Sequence, residues 1–540
     1  MRSDRGERAS SRRAAFGCKS LRRRGKRSRR AKCEDRASTG GLCGLESAAM
    51  PRTSSAAGKA PGRSSGQSAA SVKARIRRPK RFASYQTALK YLNESVNVER
   101  MRPANVDRGV FRLDRMRAMM EALGNPERDV RCVHVAGSKG KGSTAEMLAS
   151  CLSSCGYTTG IYTSPHLTDV RERVRINNQW IDEDEFTGAL GAAAAAAEAV
   201  EARHGRATYF ELLTALALRF FAERAVDAAV LEVGLGGRLD STNVVTPEVC
   251  ILTAIQLEHT RLLGSTLAEI AREKAGIMKP GVTAITFPQS DEVMGVFREE
   301  AERIGAPLRV LGKEIDFSYR LEATPELGPH ARVCLSSPRT TYEHLAVPLK
   351  GEHQALNCGL ALAALDHLRD RGFDTPERQV ALGLAATPAN GRLEQVWSSP
   401  RILIDGAHTP DSLHALVRAI GTHVRYDSMV MIFGCASDKN VDGMLARIGL
   451  GADKIIFTRS SDNPRACDPA ELQRRFAEKS PKMTQVEPSL KDAINTAYRA
   501  VGRDDLILVT GSFYLAGEAK RLLAEAAARR KPGQQVEAKG

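Results

Sequence analysis

Residues 134–148 read HVAGSKGKGSTAEML, with three glycines and two lysines crowded between an apolar run and a helical pattern. Upstream, Val133, His134 and Val135 suit a short buried strand. Downstream, Met147, Leu148, Cys151 and Leu152 recur at helical spacing. A glycine turn between strand and helix aims backbone N–H groups and the positive end of the helix at one point, which suits an anion. Lys141 adds a positive charge there, and Ser143 or Thr144 offers a hydroxyl for a metal. The stretch departs from the strict phosphate-loop pattern, because Gly142 follows Lys141 where Ser or Thr should stand. An ordinary strand-to-helix turn with exposed lysines is the plainer alternative. The flanking strand and helix favour phosphate binding on an α/β fold.

At 540 residues the chain is long enough for two or more domains. Its net charge of +17 points to a polyanion partner until the charge is located. Residues 1–80 carry 23 Lys or Arg against 5 Asp or Glu, and the remaining 460 carry 57 against 58. The basicity therefore belongs to the N-terminal segment, and the body is nearly neutral. That segment is rich in Arg, Ser, Gly and Ala and too poor in large apolar residues to fold alone. A polyanion-binding arm is one reading. The favoured one is a disordered basic extension over 1–81, with Met50 as an alternative start. An Arg- and Ser-rich start is similar to a transit peptide, but its acidic residues and weak amphipathicity argue against that. No apolar run marks a secretory signal or reaches membrane-span length. The eleven cysteines are scattered without a close CxxC pair, and Cys132, Cys250, Cys358 and Cys435 lie inside apolar runs. A reducing compartment and no structural zinc are expected.

From about Phe82 strand-like runs alternate with helical stretches. RCVHVAG, AAVLEVG, VCILTA and VTAITF suit parallel strands buried on both faces, with Ala-rich helices between them. Around 315–350 short, partly alternating runs suggest a small antiparallel insert. A second series follows, RILIDGA, MVMIFGC, KIIFTRS and LILVTGS, after a junction punctuated by Pro388, Asn390 and Gly391. The expectation is an α/β chain: a central-sheet domain of phosphate-loop type over 82–390, a smaller Rossmann-like domain over 391–530, and a tail over 531–540. Ligands of such sheets sit at the carboxyl ends of the strands.

Four more clusters fall at such ends. LEVGLGGRLDSTNVV places Glu232 after a strand, where its carboxylate can hold Mg²⁺ or simply cap a helix. TAIQLEHTRLLG places Glu258 and His259 after another, although a single His is more often a hydrogen-bonded structural residue. IAREKAGIMKPG carries Lys274, ordinarily a solvated helix lysine. IYTSPHLTDVRERVRINNQWI, with Ser164, His166 and three arginines, reads as a substrate loop or a plain exposed turn.

Singly these are weak. In this order, with GSKGKGS before them and GEHQALN, NGRLE, DGAHTPDS, ASDKN and TGSFYLAGE after them, the chain resembles the folylpolyglutamate synthase/dihydrofolate synthase family of the ATP-dependent Mur ligase superfamily over about 82–525. The resemblance implies a ligase in which ATP phosphorylates a folate-type carboxylate. The amine of L-glutamate then attacks the acyl phosphate, and an amide, ADP and phosphate leave. Such chemistry needs positioning and charge neutralisation more than a protein nucleophile.

By the same resemblance, Gly140, Lys141, Gly142 and Ser143 hold the ATP phosphates, and Asn357, Arg392 and Asp405 contact ATP from the linker and second domain. Ser164, Glu232 and His259 ligate Mg²⁺, of which two ions are expected. Lys274 corresponds to a carbamoylated lysine, and Lys141, Lys274 and His259 form the catalytic set. Thr208, Ser164 and His166 lie on the substrate side. The implied partners are folate or dihydropteroate and L-glutamate, with neither membrane nor nucleic acid, for a cytoplasmic monomer. Ser138, Glu258 and Thr409 stand where the family commonly has Thr, Asp and Asn. A Mur-type cell-wall ligase and a non-catalytic nucleotide-binding protein with a polyanion-binding tail are the competing readings. For Arg392, a surface pair with Glu394 is the plain alternative.

Overall fold

The computed structural model describes residues 79–101 and 106–529. The basic extension as far as residue 78 and the tail 531–540 lie outside the described residues. Lys80, just ahead of the expected body, is held to it: its N–H donates to the Gly191 carbonyl at 2.9 Å and its ammonium pairs with Glu198 at 2.5 Å. Gly191 permits this approach, since a Cβ there would collide with the Lys80 carbonyl oxygen.

The larger sheet has eight strands in the order Gln179–Trp180, Val174–Ile176, Thr159–Tyr162, Ala228–Glu232, Cys132–Ala136, Val249–Leu252, Ala284–Thr286 and Leu308–Val310. The last six run parallel, and the first two form an antiparallel edge. That edge is a hairpin turned by Asn177 and Asn178, both left-handed at φ 48° and 63°, as a two-residue turn of this twist requires. Of the three arginines after SPH, Arg171 and Arg173 lie in the 3₁₀ turn Val170–Arg173 and Arg175 in the paired strand Val174–Ile176.

The parallel strands are buried throughout because helices cover both faces. Along Ala228–Glu232 the side chains alternate: Ala228 and Val230 enter one core, Ala229 and Leu231 the other. The first core packs the helix Lys141–Ser154 against His353–Arg369 and Glu377–Ala385. The second receives Glu183–His204 and Tyr209–Glu223. The alanines 192–197 of Glu183–His204 are buried, small enough for close helix packing.

A three-stranded antiparallel sheet, Asp316–Thr324, Gly328–Ser336 and Thr341–Ala346, fills the expected insert. The second lobe carries six strands in the order Glu394–Ser398, Arg401–Ile404, Leu506–Thr510, Met429–Phe433, Lys454–Arg459 and Met483–Ser489, parallel except at the first pair. Asn390, Gly391 and Leu393 at the junction have φ of 41°, 71° and 47°, a run of left-handed backbone that turns the chain sharply between lobes. The eight described cysteines are free thiols. Among the described residues no helix is long and apolar enough to cross a membrane.

Candidate active site

The glycine loop is fastened to its neighbouring strand. Ser138 and Lys139 donate backbone N–H groups to the Ala254 carbonyl at 2.7 and 3.1 Å, and the Ser138 hydroxyl donates to the Gln256 carbonyl at 3.0 Å. Gly140, at φ 92°, is the N-cap of the helix Lys141–Ser154 and supplies no side chain to satisfy the first N–H groups. No acidic residue lies in the first turn either. The helix end therefore keeps its donors and its positive field for a ligand.

Distant residues close over this end. A Cβ on Gly140 would collide with Asn357 Oδ1, and one on Gly142 would collide with Arg392 Nη2 and lie 3.3 Å from Glu232 Oε2. Glu232 also accepts the Ser164 N–H at 3.1 Å. Burial pushes the Glu232 carboxyl up, against the pull of Lys141 and Arg392. Arg392 donates to the Ala389 and Asn390 carbonyls at 3.4 and 3.2 Å. It does not pair with Glu394, which takes the Gly391 N–H at 2.8 Å and Lys520 at 2.7 Å.

A cationic group lies beside the loop. Lys274, 1% exposed, donates to the Gly137 carbonyl at 2.8 Å and to Glu258 at 3.0 Å. Lys141 reaches the same carbonyl at 3.1 Å. Lys139 lies 3.9 Å from Glu258 and 3.5 Å from His408 Nε2. Burial raises the Glu258 carboxyl, but Lys274, Lys141 and Lys139 together hold it well below the carboxylate range. Burial lowers Lys139 to about 8. His259 is left-handed at φ 47° and has much exposed surface, yet the protein atoms crowded around it lower its pKa to about 4, with Lys439, Lys274 and Lys141 adding to that and Glu258 opposing it.

Two cavities adjoin, sharing Pro165 and Phe513 in their walls. The larger, about 340 Å³, is lined by Tyr85, His166, Arg173, Tyr209, Phe513 and Tyr514 among others. The smaller, about 40 Å³, holds Ser164, Glu232, Trp180 and Arg392. Arg173, 1% exposed, binds Glu99 through both terminal nitrogens at 2.8 and 2.6 Å and donates Nε–H to His166 Nδ1 at 2.8 Å. Burial first, then Arg173, brings His166 down to about 4, so the ring is neutral and its proton sits on Nε2.

Three sets of expected site residues hold contacts of their own. Thr208 caps the helix Tyr209–Glu223: its hydroxyl accepts the Glu211 N–H at 3.2 Å, and Tyr209, not Thr208, lines the larger cavity. Both Asp405 oxygens accept backbone N–H groups, from Leu393 at 2.9 Å and Ala407 at 2.8 Å, which braces the junction. Burial raises its pKa to about 6. Of the expected metal ligands, Glu232 accepts the Ser164 N–H, and His259 lies in the field of Glu258, Lys439, Lys274 and Lys141.

Sequence reasoning missed Glu99, Glu146, Lys439, Tyr209 and Phe513. Glu146 forms a buried pair with Arg175 and accepts from Asn390 at 2.9 Å, tying helix, hairpin and junction together. Its signal was a carboxylate set between the apolar Ala145 and Met147, both buried in the helix.

Comparison with known proteins fits this geometry. The family described as Mur ligase middle domain matches residues 135–365, and the one described as Mur ligase, glutamate ligase domain, matches 391–513. The dihydrofolate synthase/folylpolyglutamate synthase of Bacillus subtilis is 34% identical over 414 residues, covering 76% of this chain and 94% of that protein. The chain belongs to the folylpolyglutamate synthase/dihydrofolate synthase family. It is an ATP-dependent glutamate ligase, and the cell-wall and non-catalytic readings give way to that. Mycobacterium tuberculosis folylpolyglutamate synthase, solved with ADP, superimposes on this member of the family with a TM-score of 0.73 at 32% identity, covering 82% of this chain and 98% of that one. Escherichia coli FolC, solved with DHPP and ADP, gives 0.70 at 28% identity over 83% and 100% of the two chains.

Proposed function

We propose that this ligase joins L-glutamate to the carboxylate of a folate-type acceptor, dihydropteroate or a reduced folate, by way of an acyl phosphate. The observation that carries it is the meeting of the glycine loop, Glu232, Ser164 and the second-lobe Arg392 beside a cavity of about 340 Å³. That cavity, walled by Tyr85, Tyr209 and Tyr514, suits a flat heteroaromatic acceptor with polar edges. We place the ATP-binding body at 82–390 and the glutamate-ligase lobe at 391–530, in a cytoplasmic monomer acting without membrane or nucleic acid.

In this reading Gly140 to Ser143 cradle the ATP phosphates with backbone N–H groups, and Lys141 neutralises charge on the transferring phosphoryl oxygens. Arg392 reaches the same oxygens from the second lobe. The His166 Nε2–H orients the acceptor in its cavity, while Phe513, present in both cavities, separates the acceptor ring from the reacting carboxylate. Lobe contact excludes water, which would hydrolyse the acyl phosphate before the glutamate amine attacks.

Glu232 and Ser164 would hold Mg²⁺: Glu232 is a buried carboxylate and Ser164, whose N–H it accepts, carries a hydroxyl, and both are oxygen donors of the kind a hard cation takes. Bound there, the ion supplies charge neutralisation at phosphate oxygens. A second ion at His259 and a carbamoylated Lys274 fits less simply. Adding CO₂ to Lys274 would place a second anion beside Glu258, now 3.0 Å from the ammonium. ADP release with ATP, L-glutamate and either dihydropteroate or tetrahydrofolate tests the function. ADP formation that needs both acceptor and glutamate supports it; none with either acceptor overturns it.

A further inference from the structure

The geometry points to Arg465 as a positioning residue for the acceptor cavity, acting from the second lobe through the segment that carries Glu99. The inference rests on the reading of the larger cavity as the acceptor site. Arg465 lies between the strand Lys454–Arg459 and the helix Pro469–Ala477, with its side chain 14% exposed. Its backbone is fixed on both sides: its N–H donates to Asn463 Oδ1 at 3.0 Å, and its carbonyl accepts the Ser437 N–H at 2.8 Å. One terminal nitrogen pairs with Asp438 at 3.1 Å, which holds the guanidinium in line. The other donates to the Glu99 carbonyl at 3.0 Å, across 366 residues of sequence and from one lobe to the other.

The receiving segment is bridged to the body at Val96, which pairs with Thr208 and accepts the Tyr209 N–H on its carbonyl at 3.0 Å. Beyond that, Glu99 is held by two charged groups of opposite origin. Its carboxylate lies on Arg173 of the first lobe, and its carbonyl lies on Arg465 of the second. Asn97, Glu99 and Arg100 all line the larger cavity. Arg173 in turn holds His166. A line of contacts therefore runs from the second lobe to the acceptor-facing imidazole: Arg465, Glu99, Arg173, His166.

The consequence is coupling. The cavity wall at Glu99 takes its shape only when the second lobe is docked, and the same lobe brings Arg392 to the glycine loop. Asp438 adjoins Lys439, whose charge acts on Glu258 and His259, so the arm that holds Glu99 is rooted beside the glycine loop.

The test is a steady-state comparison of wild type, Arg465→Ala, Arg465→Lys, Glu99→Gln and the double variant Arg465→Ala/Glu99→Gln, with ATP, L-glutamate and the better of the two acceptors. Arg465→Ala should raise the acceptor KM about tenfold, leave the ATP KM within about twofold and unfold at nearly the wild-type temperature. Arg465→Lys, which keeps one charged donor, should recover part of the acceptor KM. In the double variant the two effects should not multiply, because both act through one segment. An unchanged acceptor KM in folded Arg465→Ala overturns the inference alone, as do equal rises in both KM values or multiplying effects. A wild type that turns over neither acceptor overturns the functional reading itself, and this inference with it.

Discussion

Replacing Gly142 by alanine should separate stability from activity at the glycine loop. Gly142 is the second residue of the helix Lys141–Ser154 and has no left-handed φ, so alanine fits its backbone. Alanine is favoured over glycine inside a helix by up to about 1 kcal/mol, and near the first turn about half of that is expected. The new Cβ would meet Arg392 Nη2 inside contact distance and stand 3.3 Å from Glu232 Oε2. The guanidinium is the mobile end of a long side chain, held only by the Ala389 and Asn390 carbonyls at 3.4 and 3.2 Å, so it can withdraw. Withdrawal by roughly 1 Å restores an ordinary contact. The protein should therefore melt at the wild-type temperature or about 1–2 °C above it. Amide synthesis should fall by about 10- to 100-fold, since a displacement of that size in a positioned charge costs about 1.4–2.7 kcal/mol at the transition state. ADP release read by a coupled assay, with mass spectrometry of the glutamylated product, gives the rate, and circular dichroism gives the melt. Arg392→Ala should lose a similar factor, and the double variant little more. Gly140→Ala is the contrasting control. At φ 92° and against Asn357 Oδ1 it should lose activity and also about 1–2 kcal/mol of stability. Wild-type rates in a folded Gly142→Ala enzyme would refute the placing of Arg392 over the loop.

Three further outcomes follow from named groups. Lys141→Ala should lower kcat by about 10²–10³, the range for one lost transition-state charge, while the melting temperature barely moves; retained turnover would remove it from the phosphate site. Lys274→Ala should abolish activity, and wild-type enzyme in ¹³C-bicarbonate should show a carbamate resonance that the variant lacks; its absence from active wild type would leave Lys274 as the ammonium partner of Glu258. His134 lies wholly buried in the central strand with Nε2 on the Thr242 hydroxyl at 2.8 Å, and burial lowers its pKa to about 3. Below its ordinary value of 6.5 the unfolded chain takes up the proton first, so stability is lost as pH falls from about 6.5 towards 3. His134→Gln should flatten that part of the urea-denaturation profile, and an unchanged slope would show that another group governs it.

The sequence by itself determined the strand–turn–helix order, because local periodicity records which side chains are buried. Val133, Val135, Met147 and Leu148 alternate and recur as a two-sided parallel sheet with covering helices demands. Glycines and lysines at the strand end showed where an anion would sit, since that depends on backbone within one turn. The order of motifs was enough for the family. Tertiary structure alone decided which polar groups meet. Arg173 could have faced solvent by its sequence; the hairpin through Asn177 and Asn178 turns it inward onto Glu99, 74 residues away in a stretch without periodicity. The resemblance put Thr208 and Asp405 on the ligand side. The folded backbone gives each a structural contact as well, a helix cap for Thr208 and the Leu393 and Ala407 N–H groups at the junction for Asp405. Glu232 and His259 follow the two strands that flank the strand leading into the glycine loop, and the Lys141 charge acts on both, which only the sheet order decides. Burial is written residue by residue along the chain, whereas a pairing between distant charges depends on how whole elements stack, and so Arg465 meets Glu99 only when both lobes are in place.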